Sequence, residues 1–324
     1  MAELIFTMGL PGSGKSTWAR NYRDTVGEEI VTVISSDDIR QELWGDANDQ
    51  REAGKVFEVM FQRTVVALNE GKTVIYDATN LNAKKRESTL LRIKRTARVP
   101  FVANLVLTTC PISECKLRQS GRDRKVPDEV IDRMVRQFEA PWYNEGWHNI
   151  HVVHTGKEQN VDHEHWRMLG ESHDNPHHTT SLEIHCANCE FEMKELLPNT
   201  KFELEYSKPM RKALIEAAYH HDIGKHKTKV FHDMKGNPTD IAHYYFHNNV
   251  GAYLWLSGDK IRDWDEDDFL LIGVLIQWHM QPFFMRDEDG EWEKNFADWC
   301  NKRGFAPFIH DGICLLHQAD RAAH

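Results

Sequence analysis

The stretch Gly9-Leu10-Pro11-Gly12-Ser13-Gly14-Lys15-Ser16-Thr17 decides the fold of the first half of the chain. An apolar run, residues 4–8, precedes it and a helical pattern opens at Thr17, which is the context that a phosphate-binding loop (P-loop) requires. In such a loop backbone amides converge on phosphate oxygens, Lys15 reaches the β and γ phosphates, and Ser16 is a magnesium ligand. The sequence therefore predicts ATP, or another NTP, with Mg²⁺, bound by Gly9, Gly12, Ser13, Gly14, Lys15, Ser16 and Thr17.

Strand and helix patterns alternate along the first 155 residues, which is typical of a parallel sheet. Residues 56–68 are one of the helical stretches, with apolar side chains at helical spacing. The strand patterns cover residues 4–8, 30–34, 73–76, 101–107 and 150–153. Right-handed crossovers then give an α/β domain, residues 1–155, with helices on both faces of the sheet and ligands at the carboxyl ends of its strands.

The histidines divide the chain into two chemical halves, because none of the 19 lies before His148. Phosphoryl transfer needs no imidazole, whereas histidine is the commonest protein ligand for transition metals. Residues 156–176 are polar and weakly periodic, which indicates a linker, and the pattern from residue 179 onward is helical. We therefore expect an α/β domain, a linker, and an all-α domain over residues 177–324.

Composition argues against several classes of protein. No apolar run is long enough to cross a bilayer and there is no secretory signal, so we expect a cytoplasmic protein without a membrane partner. Six cysteines in 324 residues do not make a disulfide scaffold, and we expect them to be reduced. Residues 1–160 carry 23 Lys and Arg against 22 Asp and Glu, and the remainder carries 17 against 28. This acidic excess argues against binding along an extended nucleic-acid duplex and favours binding of a short nucleic-acid end.

Carboxylates follow the second and third predicted strands, at Asp37, Asp38 and Asp77. At these strand ends a carboxylate can accept a hydroxyl proton or order magnesium beside the γ-phosphate. One of Asp37 and Asp38 is instead expected to cap the next helix. Residues 118–125 are rich in arginine and precede a helix predicted from Asp128. They are either a mobile lid whose arginine stabilises phosphate charge or a solvated cationic loop.

Together these motifs resemble the 5′-hydroxyl polynucleotide kinases of phage and bacterial RNA repair. The matching segments are the P-loop with residues 16–20, residues 37–40, residues 77–82, and the lid ending at residues 126–127. The resemblance implies catalytic roles for Lys15, for Asp37 as general base and for Arg122 as the lid arginine. It implies substrate-binding roles for Arg40 and Asp77. Asp-x-Thr-Asn also occurs in small-molecule kinases, so the acceptor stays open.

The second half contains His221-Asp222-Ile223-Gly224-Lys225 at the end of a predicted helix. Ser207 can cap that helix, His221 then lies on its buried face, and Gly224 ends it. Three more polar residues lie on apolar helical stripes: His185, His279 and Asp320. Polar side chains on core-facing stripes are costly unless they share partners, and a pair of metal ions provides such partners.

This order of residues resembles the HD-domain phosphohydrolases, over residues 177–324. The resemblance implies two divalent transition metals, such as Mn²⁺, Ni²⁺, Co²⁺ or Cu²⁺, held by His185, His221, Asp222, His247, His279 and Asp320. It further implies that Lys225 contacts a phosphate oxygen and that a water between the metals attacks phosphorus. Because only four residues follow Asp320, we expect a short or frayed last helix.

Several further residues could take the place of these ligands. His243 lies four residues before His247 on one predicted helical face, and we interpret it as a phosphate contact. Asp311, in a second His-Asp pair, is expected to cap a helix. Cys186 and Cys189 have the spacing of zinc-ligating cysteines, but no second pair lies at a suitable distance. We therefore interpret them as core residues. Two residues compete with His185 for the first ligand position: His177 and His178.

Joined, the two halves predict the healing of broken RNA or DNA ends. The first half would phosphorylate a 5′-hydroxyl with an NTP, and the second would remove a 3′-phosphate or a 2′,3′-cyclic phosphate. A separate RNA ligase would then join the ends. The main alternative is a small-molecule or nucleoside kinase fused to a phosphohydrolase of free nucleotides. A third alternative is a binding module whose metal is structural. Lys225 argues against it, because a structural metal site needs no such cation.

Overall fold

The computed structural model describes residues 2–122, 125–157, 161–176, 180–200, 206–285 and 292–323. The chain divides into two compact units, one formed by Met1–Met134 with Glu145–Lys157 and the other by Val135–Asn144 with Glu158–His324. Residues 161–176, which we predicted as a linker, belong to the second unit. The prediction is wrong there because two isolated apolar side chains, Val161 and Met168, are buried beneath an otherwise polar segment.

The first unit is built on a five-stranded sheet in which every pairing is parallel. Its strands are β1 (Ala2–Met8), β2 (Val31–Ser35), β3 (Thr73–Asp77), β4 (Phe101–Thr109) and β5 (Asn149–His154), in the order β2-β3-β1-β4-β5. The predicted strands are therefore confirmed, with ends that differ by no more than two residues. β3 is buried at every position, as expected for a strand that is covered on both faces.

Helices connect these strands and place polar side chains at one edge of the sheet. They are α1 (Lys15–Val26), α2 (Ser36–Trp44), α3 (Ala53–Asn69), α4 (Ala83–Thr96), α5 (Ile112–Ser120) and α6 (Asp128–Arg136). The Ser35 hydroxyl caps α2 by accepting from the backbone amides of Asp37 and Asp38. Our expectation that one of these aspartates is the cap is wrong, because the serine before them satisfies the same amides.

A buried ion pair ties α4 to the segment that leads into β5. Arg86 Nε donates to Glu145 Oε2 at 2.7 Å, and Nη2 donates to Oε1 at 2.5 Å. The side chains are 0% and 5% exposed. Trp147 donates its indole N–H to the same carboxylate, and Arg86 also donates to the Asn80 carbonyl. Both charges are thus fully engaged away from water, which is the arrangement that a buried pair requires.

The second unit is largely helical, as predicted, with one antiparallel hairpin that we did not predict. Its helices are α7 (Asp162–Arg167), α8 (Leu182–Leu196), α9 (Lys208–His220), α10 (Lys225–Thr228), α11 (His247–Leu256), α12 (Glu266–Trp278), α13 (Gln281–Phe284), α14 (Trp292–Arg303) and α15 (Pro307–Ala322). The hairpin pairs β6 (Lys229–His232) with β7 (Pro238–Tyr244). Only one of the eleven residues in these short strands, Ala242, is buried, so they carry little of the alternation that marks a half-buried strand.

The last helix, α15, differs from two expectations. It is 16 residues long and buries Asp320 to 6% exposure, so it is neither short nor frayed at this residue. Asp311 lies inside α15 and does not cap it, because the helix already begins at Pro307. The Asp311 carboxylate instead accepts hydrogen bonds from the Tyr206 hydroxyl and from Nδ1 of His310.

Helix α12 is the centre of the second unit. Every residue from Phe269 to Gln277 is buried, which is typical of a helix surrounded by protein. The segment Val135–Asn144 packs in the same unit: Phe138 lies edge-on to Tyr253, and the Ala140 amide donates to the Gln277 side chain. No helix within the described residues is long and apolar enough to cross a bilayer.

We predict that Glu145→Ala destabilises the first unit by roughly 3–5 kcal/mol, because it leaves the Arg86 charge buried without its counterion. Urea-dependent hydrogen exchange of the β4 and β5 amides would measure this unit separately from the second. The matched control is Glu42→Ala, which removes an exposed partner of Arg63 and should leave the exchange unchanged. Equal, small effects of both substitutions would contradict the prediction.

Candidate functional sites

The P-loop lies between β1 and α1 and is held by neighbouring backbone and side chains. Gly12 has φ 86°, and a Cβ there would lie 2.6 Å from the Cys115 carbonyl oxygen. Only glycine fits this close approach. The Gly12 carbonyl accepts from Arg118, and the Ser13 carbonyl accepts from the Thr155 hydroxyl at 2.6 Å. The loop is therefore fixed from both the α5 side and the end of the sheet.

Lys15, Ser16 and Asp77 form the chemical centre of this loop. Lys15 Nζ donates to the Leu10 carbonyl at 2.8 Å, and burial lowers the pKa of Lys15 against the opposing charge of Asp77. Ser16 Oγ donates to Asp77 Oδ2 at 2.8 Å, and Thr7 donates to the other carboxylate oxygen. We predicted Asp77 as a substrate contact. Its position against the predicted magnesium ligand Ser16 instead fits the magnesium shell.

Asp37 and Arg40 lie together on the first turns of α2. Arg40 donates to Asp37 Oδ1 at 3.0 Å, and the arginine side chain is 8% exposed against 47% for the aspartate. The contact of Arg40 with an acceptor stays a prediction. In the structure its buried guanidinium pairs with Asp37 and orients that carboxylate. Burial raises the pKa of Asp38, and the charges of Asp37 and Asp77 raise it further. Three carboxylates thus converge at the ends of β2 and β3.

Two arginines of the predicted lid have different positions. Arg122 is exposed, and its charge contributes to the lowered pKa of Lys15; its role as the lid arginine stays a prediction. Asp123 and Arg124 lie outside the described residues. Arg118 belongs to α5, where it pairs with Glu114 at 2.6 Å and donates to Gly12. Sequence reasoning missed this role of Arg118, although its spacing of four from Glu114 is a signal for a helical ion pair.

Six buried side chains of the second unit meet in two groups of three. The first group is His185, His221 and Asp320, and the second is Asp222, His247 and His279. Within each group the ligand atoms all lie within 4.8 Å of one another, and none of the six residues is more than 6% exposed. The structure therefore brings together the whole set that the sequence singled out.

Separate segments deliver these side chains. His185 is on α8, His221-Asp222 follow α9, His247 opens α11, His279 follows α12, and Asp320 is on α15. The predicted Ser207 cap of α9 is confirmed. The predicted end of α9 at Gly224 is wrong, because α9 ends at His220. A Cβ at Gly224 would instead lie 2.1 Å from the His247 carbonyl oxygen. A glycine at this position is what lets the Asp222 segment approach the start of α11.

The imidazole protons point away from the centre. Nδ1 of His247 lies 2.8 Å from the Tyr244 carbonyl oxygen, and Nδ1 of His279 lies 2.8 Å from that of Ile276. A carbonyl only accepts, so in each ring Nδ1 carries a proton and Nε2 faces the centre. The two Nε2 atoms are 3.2 Å apart, and burial lowers the pKa of His279 to about 3. Such lone pairs repel each other unless a cation lies near them, which fits metal ligation.

The Asp222 carboxylate joins the two groups. Oδ2 lies 3.4 Å from His185 Nε2 and 3.3 Å from His221 Nε2. Oδ1 lies 3.2 Å from His247 Nε2. Burial raises the pKa of Asp222, but Lys225 and His221 outweigh it and hold this pKa well below its usual range. Lys225 Nζ is 2.6 Å from Oδ2, so an ionised carboxylate faces both groups with one oxygen each.

A cavity of about 1010 Å³ adjoins this centre, with Asp222, Lys225 and Asp320 in its lining. His243 also lines the cavity, on β7. The helical face that we proposed for His243 and His247 is therefore wrong: a strand turns into a helix between them. His243 is outside the two groups of ligand atoms, which is compatible with a substrate contact.

Two cysteines share α8 with His185 but belong to the core. Cys186 and Cys189 are fully buried, and burial raises the pKa of Cys186 to about 12. They are core residues, as predicted, and buried thiols of this kind are inert. The two histidines that compete with His185 in the sequence, His177 and His178, lie outside the described residues.

Comparison with known proteins finds similarity in the first half of the chain. Residues 4–141 match a family model described as an AAA domain. Over 151 residues the chain is 26% identical to L-seryl-tRNA(Sec) kinase of Methanococcus maripaludis, an alignment that covers 44% of this chain and 55% of that protein. This chain thus spans about half the length of the curated relative that it matches.

Two solved structures are similar to this chain over about half its length. One, described as that of a candidate kinase from Chloroflexus aurantiacus, is 16% identical with a TM-score of 0.39, and the match covers 48% of this chain and 85% of that one. The other, a gluconokinase from Sinorhizobium meliloti, is 17% identical with a TM-score of 0.32, covering 50% and 86%. The family match, the P-loop and the parallel sheet together show that the first unit has a P-loop kinase fold.

Proposed function

We propose that this protein heals broken nucleic-acid ends with two active sites. The first unit transfers a phosphoryl group from an NTP to a 5′-hydroxyl end, with Mg²⁺ at Ser16. The second unit removes a 3′-phosphate or a 2′,3′-cyclic phosphate at a pair of divalent transition metals. The products, a 5′-phosphate and a free 3′ end, are the ends that a separate RNA ligase would join in the cytoplasm.

The kinase site supports transfer to a hydroxyl group. The P-loop, Lys15 and the Ser16–Asp77 pair form the donor side, and Asp37 offers a half-exposed carboxylate held by Arg40 on the same edge of the sheet. Such a carboxylate can accept the proton of an attacking hydroxyl. A kinase named for a tRNA-linked acceptor is among the relatives, which supports an acceptor hydroxyl carried by RNA.

The metal centre supports the hydrolytic half, and one observation carries it: the two oxygens of Asp222 each face a separate group of ligand atoms. His185, His221 and Asp320 would hold one ion with Asp222, and His247 and His279 would hold the other. When bound, such a pair supplies a nucleophilic water and stabilises the charge that develops on a phosphate. The Lys225 ammonium lies against Asp222, lines the adjoining cavity and can pair with a phosphate oxygen.

One set of assays tests the whole proposal. Radiolabelled ATP is offered with a 5′-hydroxyl oligonucleotide, with nucleosides and with small alcohols as competing acceptors. Oligonucleotides ending in a 3′-phosphate or a 2′,3′-cyclic phosphate, and free nucleotides, are then incubated with each metal. Exclusive use of small alcohols and free nucleotides would replace end healing by a small-molecule kinase fused to a nucleotide phosphohydrolase.

We predict that Asp37→Asn lowers 5′ phosphorylation by about 10²- to 10⁴-fold, because it removes the group that accepts the hydroxyl proton. Lys15→Ala should lower it by orders of magnitude as well, through loss of charge at the transferred phosphate. Turnover is measured with the labelled oligonucleotide, and 3′-end hydrolysis by the same variants should persist. Asp24→Asn, an exposed change on α1, is the control. Near-normal turnover of Asp37→Asn would move the base to Asp38.

We predict that Asp222→Ala loses both metals and all end hydrolysis while 5′ phosphorylation survives. The reason is that one carboxylate serves both groups of ligands. Metal content is measured on the purified full chain by elemental analysis, and His232→Ala, which removes an exposed histidine outside the centre, should retain the metals. Because the ligand set is rich in nitrogen, Mn²⁺, Co²⁺, Ni²⁺ or Cu²⁺ should support hydrolysis better than Mg²⁺. A variant that keeps two bound ions would contradict the bridging role.

A further inference from the structure

The cavity beside the metal centre presents aromatic rings that the core does not use. Phe246 and Phe284 line it, and they are 48% and 70% exposed. In contrast, the neighbouring ring of Phe283 packs against His317 with centroids 4.3 Å apart. Two exposed rings in the lining of one cavity form an apolar surface that a ligand can cover.

Phe246 also adopts a backbone conformation that its side chain does not favour. It has φ 63° and ψ 22°, in the left-handed region, immediately before the proposed ligand His247. Glycine or asparagine would adopt this conformation at lower cost, and a bulky residue there is rare. Strained positions of this kind cluster at ligand sites, where the side chain is retained for function. The exposed ring and the strained backbone therefore both indicate that Phe246 contacts a ligand.

A cation completes the cavity on the side of the last helix. Arg321 follows the proposed ligand Asp320, lines the cavity and is exposed. Within the part of the chain that the structure describes, it forms no ion pair. Lys225, by comparison, is committed to Asp222 at 2.6 Å. The cavity thus offers one cation at the metal centre, a second beside it, and aromatic faces, which match a phosphate, a second phosphate and a base.

We propose, resting on the end-healing function above, that this cavity binds the terminal nucleotide of a polynucleotide. Its base stacks on Phe246 and Phe284 while its 3′-phosphate lies at the metal centre. Arg321 pairs with the phosphate that links this nucleotide to the rest of the strand. Stacking accepts any base, because every base has a π-face, so the site recognises an end without reading its sequence. A volume of about 1010 Å³ is ample for one nucleotide.

The test compares two oligonucleotides that differ only in the terminal base. Both carry a 3′-phosphate, one on an ordinary nucleotide and the other on a stable abasic residue, and kcat/KM is measured with Mn²⁺. Phe284→Ala should lower kcat/KM by about 5- to 150-fold for the ordinary end, the range that corresponds to base stacking, and leave the abasic end unchanged. Phe191→Ala, a 59% exposed ring on α8 outside the cavity lining, should change neither.

Phe246→Asn separates stacking from a structural role. Asparagine tolerates the left-handed conformation, so the melting temperature of the full chain should not fall, whereas kcat/KM for the ordinary end should fall as for Phe284→Ala. A lower melting temperature with equal losses on both ends would overturn the stacking assignment. So would an unchanged preference for the base in both variants.

Arg321→Gln tests the second phosphate. It should weaken hydrolysis of a dinucleotide with a 3′-phosphate but not of a nucleoside 3′-phosphate, which lacks the linking phosphate; equal loss on both would overturn this contact. The failure of end healing itself has a different signature. In that case the wild-type chain hydrolyses bis(p-nitrophenyl) phosphate with Mn²⁺ but neither the oligonucleotide with the ordinary 3′-phosphate end nor the one with the abasic end, and the stacking proposal fails with it.

Discussion

Burial of charge at Asp222 is the constraint on which the second unit depends. An ionised carboxylate with 2% exposure is tolerated only if other groups compensate its lost hydration. Lys225, three residues further along the chain, does so together with imidazoles that include His247 from a different helix. As a result, the ends of α9 and α12 and the start of α11 all lie at this carboxylate.

The first unit depends on a different constraint, the common edge of its parallel strands. Because β1, β2 and β3 end at the same edge, the P-loop, Asp37 and Asp77 lie close together there. Hydrogen bonds between residues far apart in the sequence, such as that from Ser16 to Asp77, then fix this arrangement. Asp77 is the last residue of β3, and Asp37 comes two residues after the end of β2. This explains how a nearly continuous apolar strand such as β3 can still end in a chemical group, Asp77.

Much of this arrangement could be predicted from the sequence, and the reasons are local. The strands of the first unit, α3 and four buried polar positions of the second unit follow from periodicity, because apolar spacing records which face is buried. Those four positions are His185, His221, His279 and Asp320, whereas Asp222 and His247 were expected as ligands only from the resemblance to HD-domain phosphohydrolases. What could not be predicted depends on contacts across the chain. Arg40 is buried against Asp37, Gly224 meets the His247 backbone, and Asp77 meets Ser16. The hairpin β6–β7 was missed because its short strands show no regular alternation of buried and exposed residues.

The segment Val135–Asn144 has a consequence for synthesis. It precedes β5 in the chain, yet its aromatic residues pack on side chains made much later: Phe138 on Tyr253, and Trp142 on Phe308. The sheet can be completed once β5 has emerged from the ribosome, but these rings stay without their partners until Tyr253 and Phe308, which lie 99 and 154 residues beyond the end of β5, are translated. During that interval the aromatic rings of this segment are exposed apolar surface on the nascent chain. We therefore expect this segment to be a binding site for a chaperone that prevents aggregation.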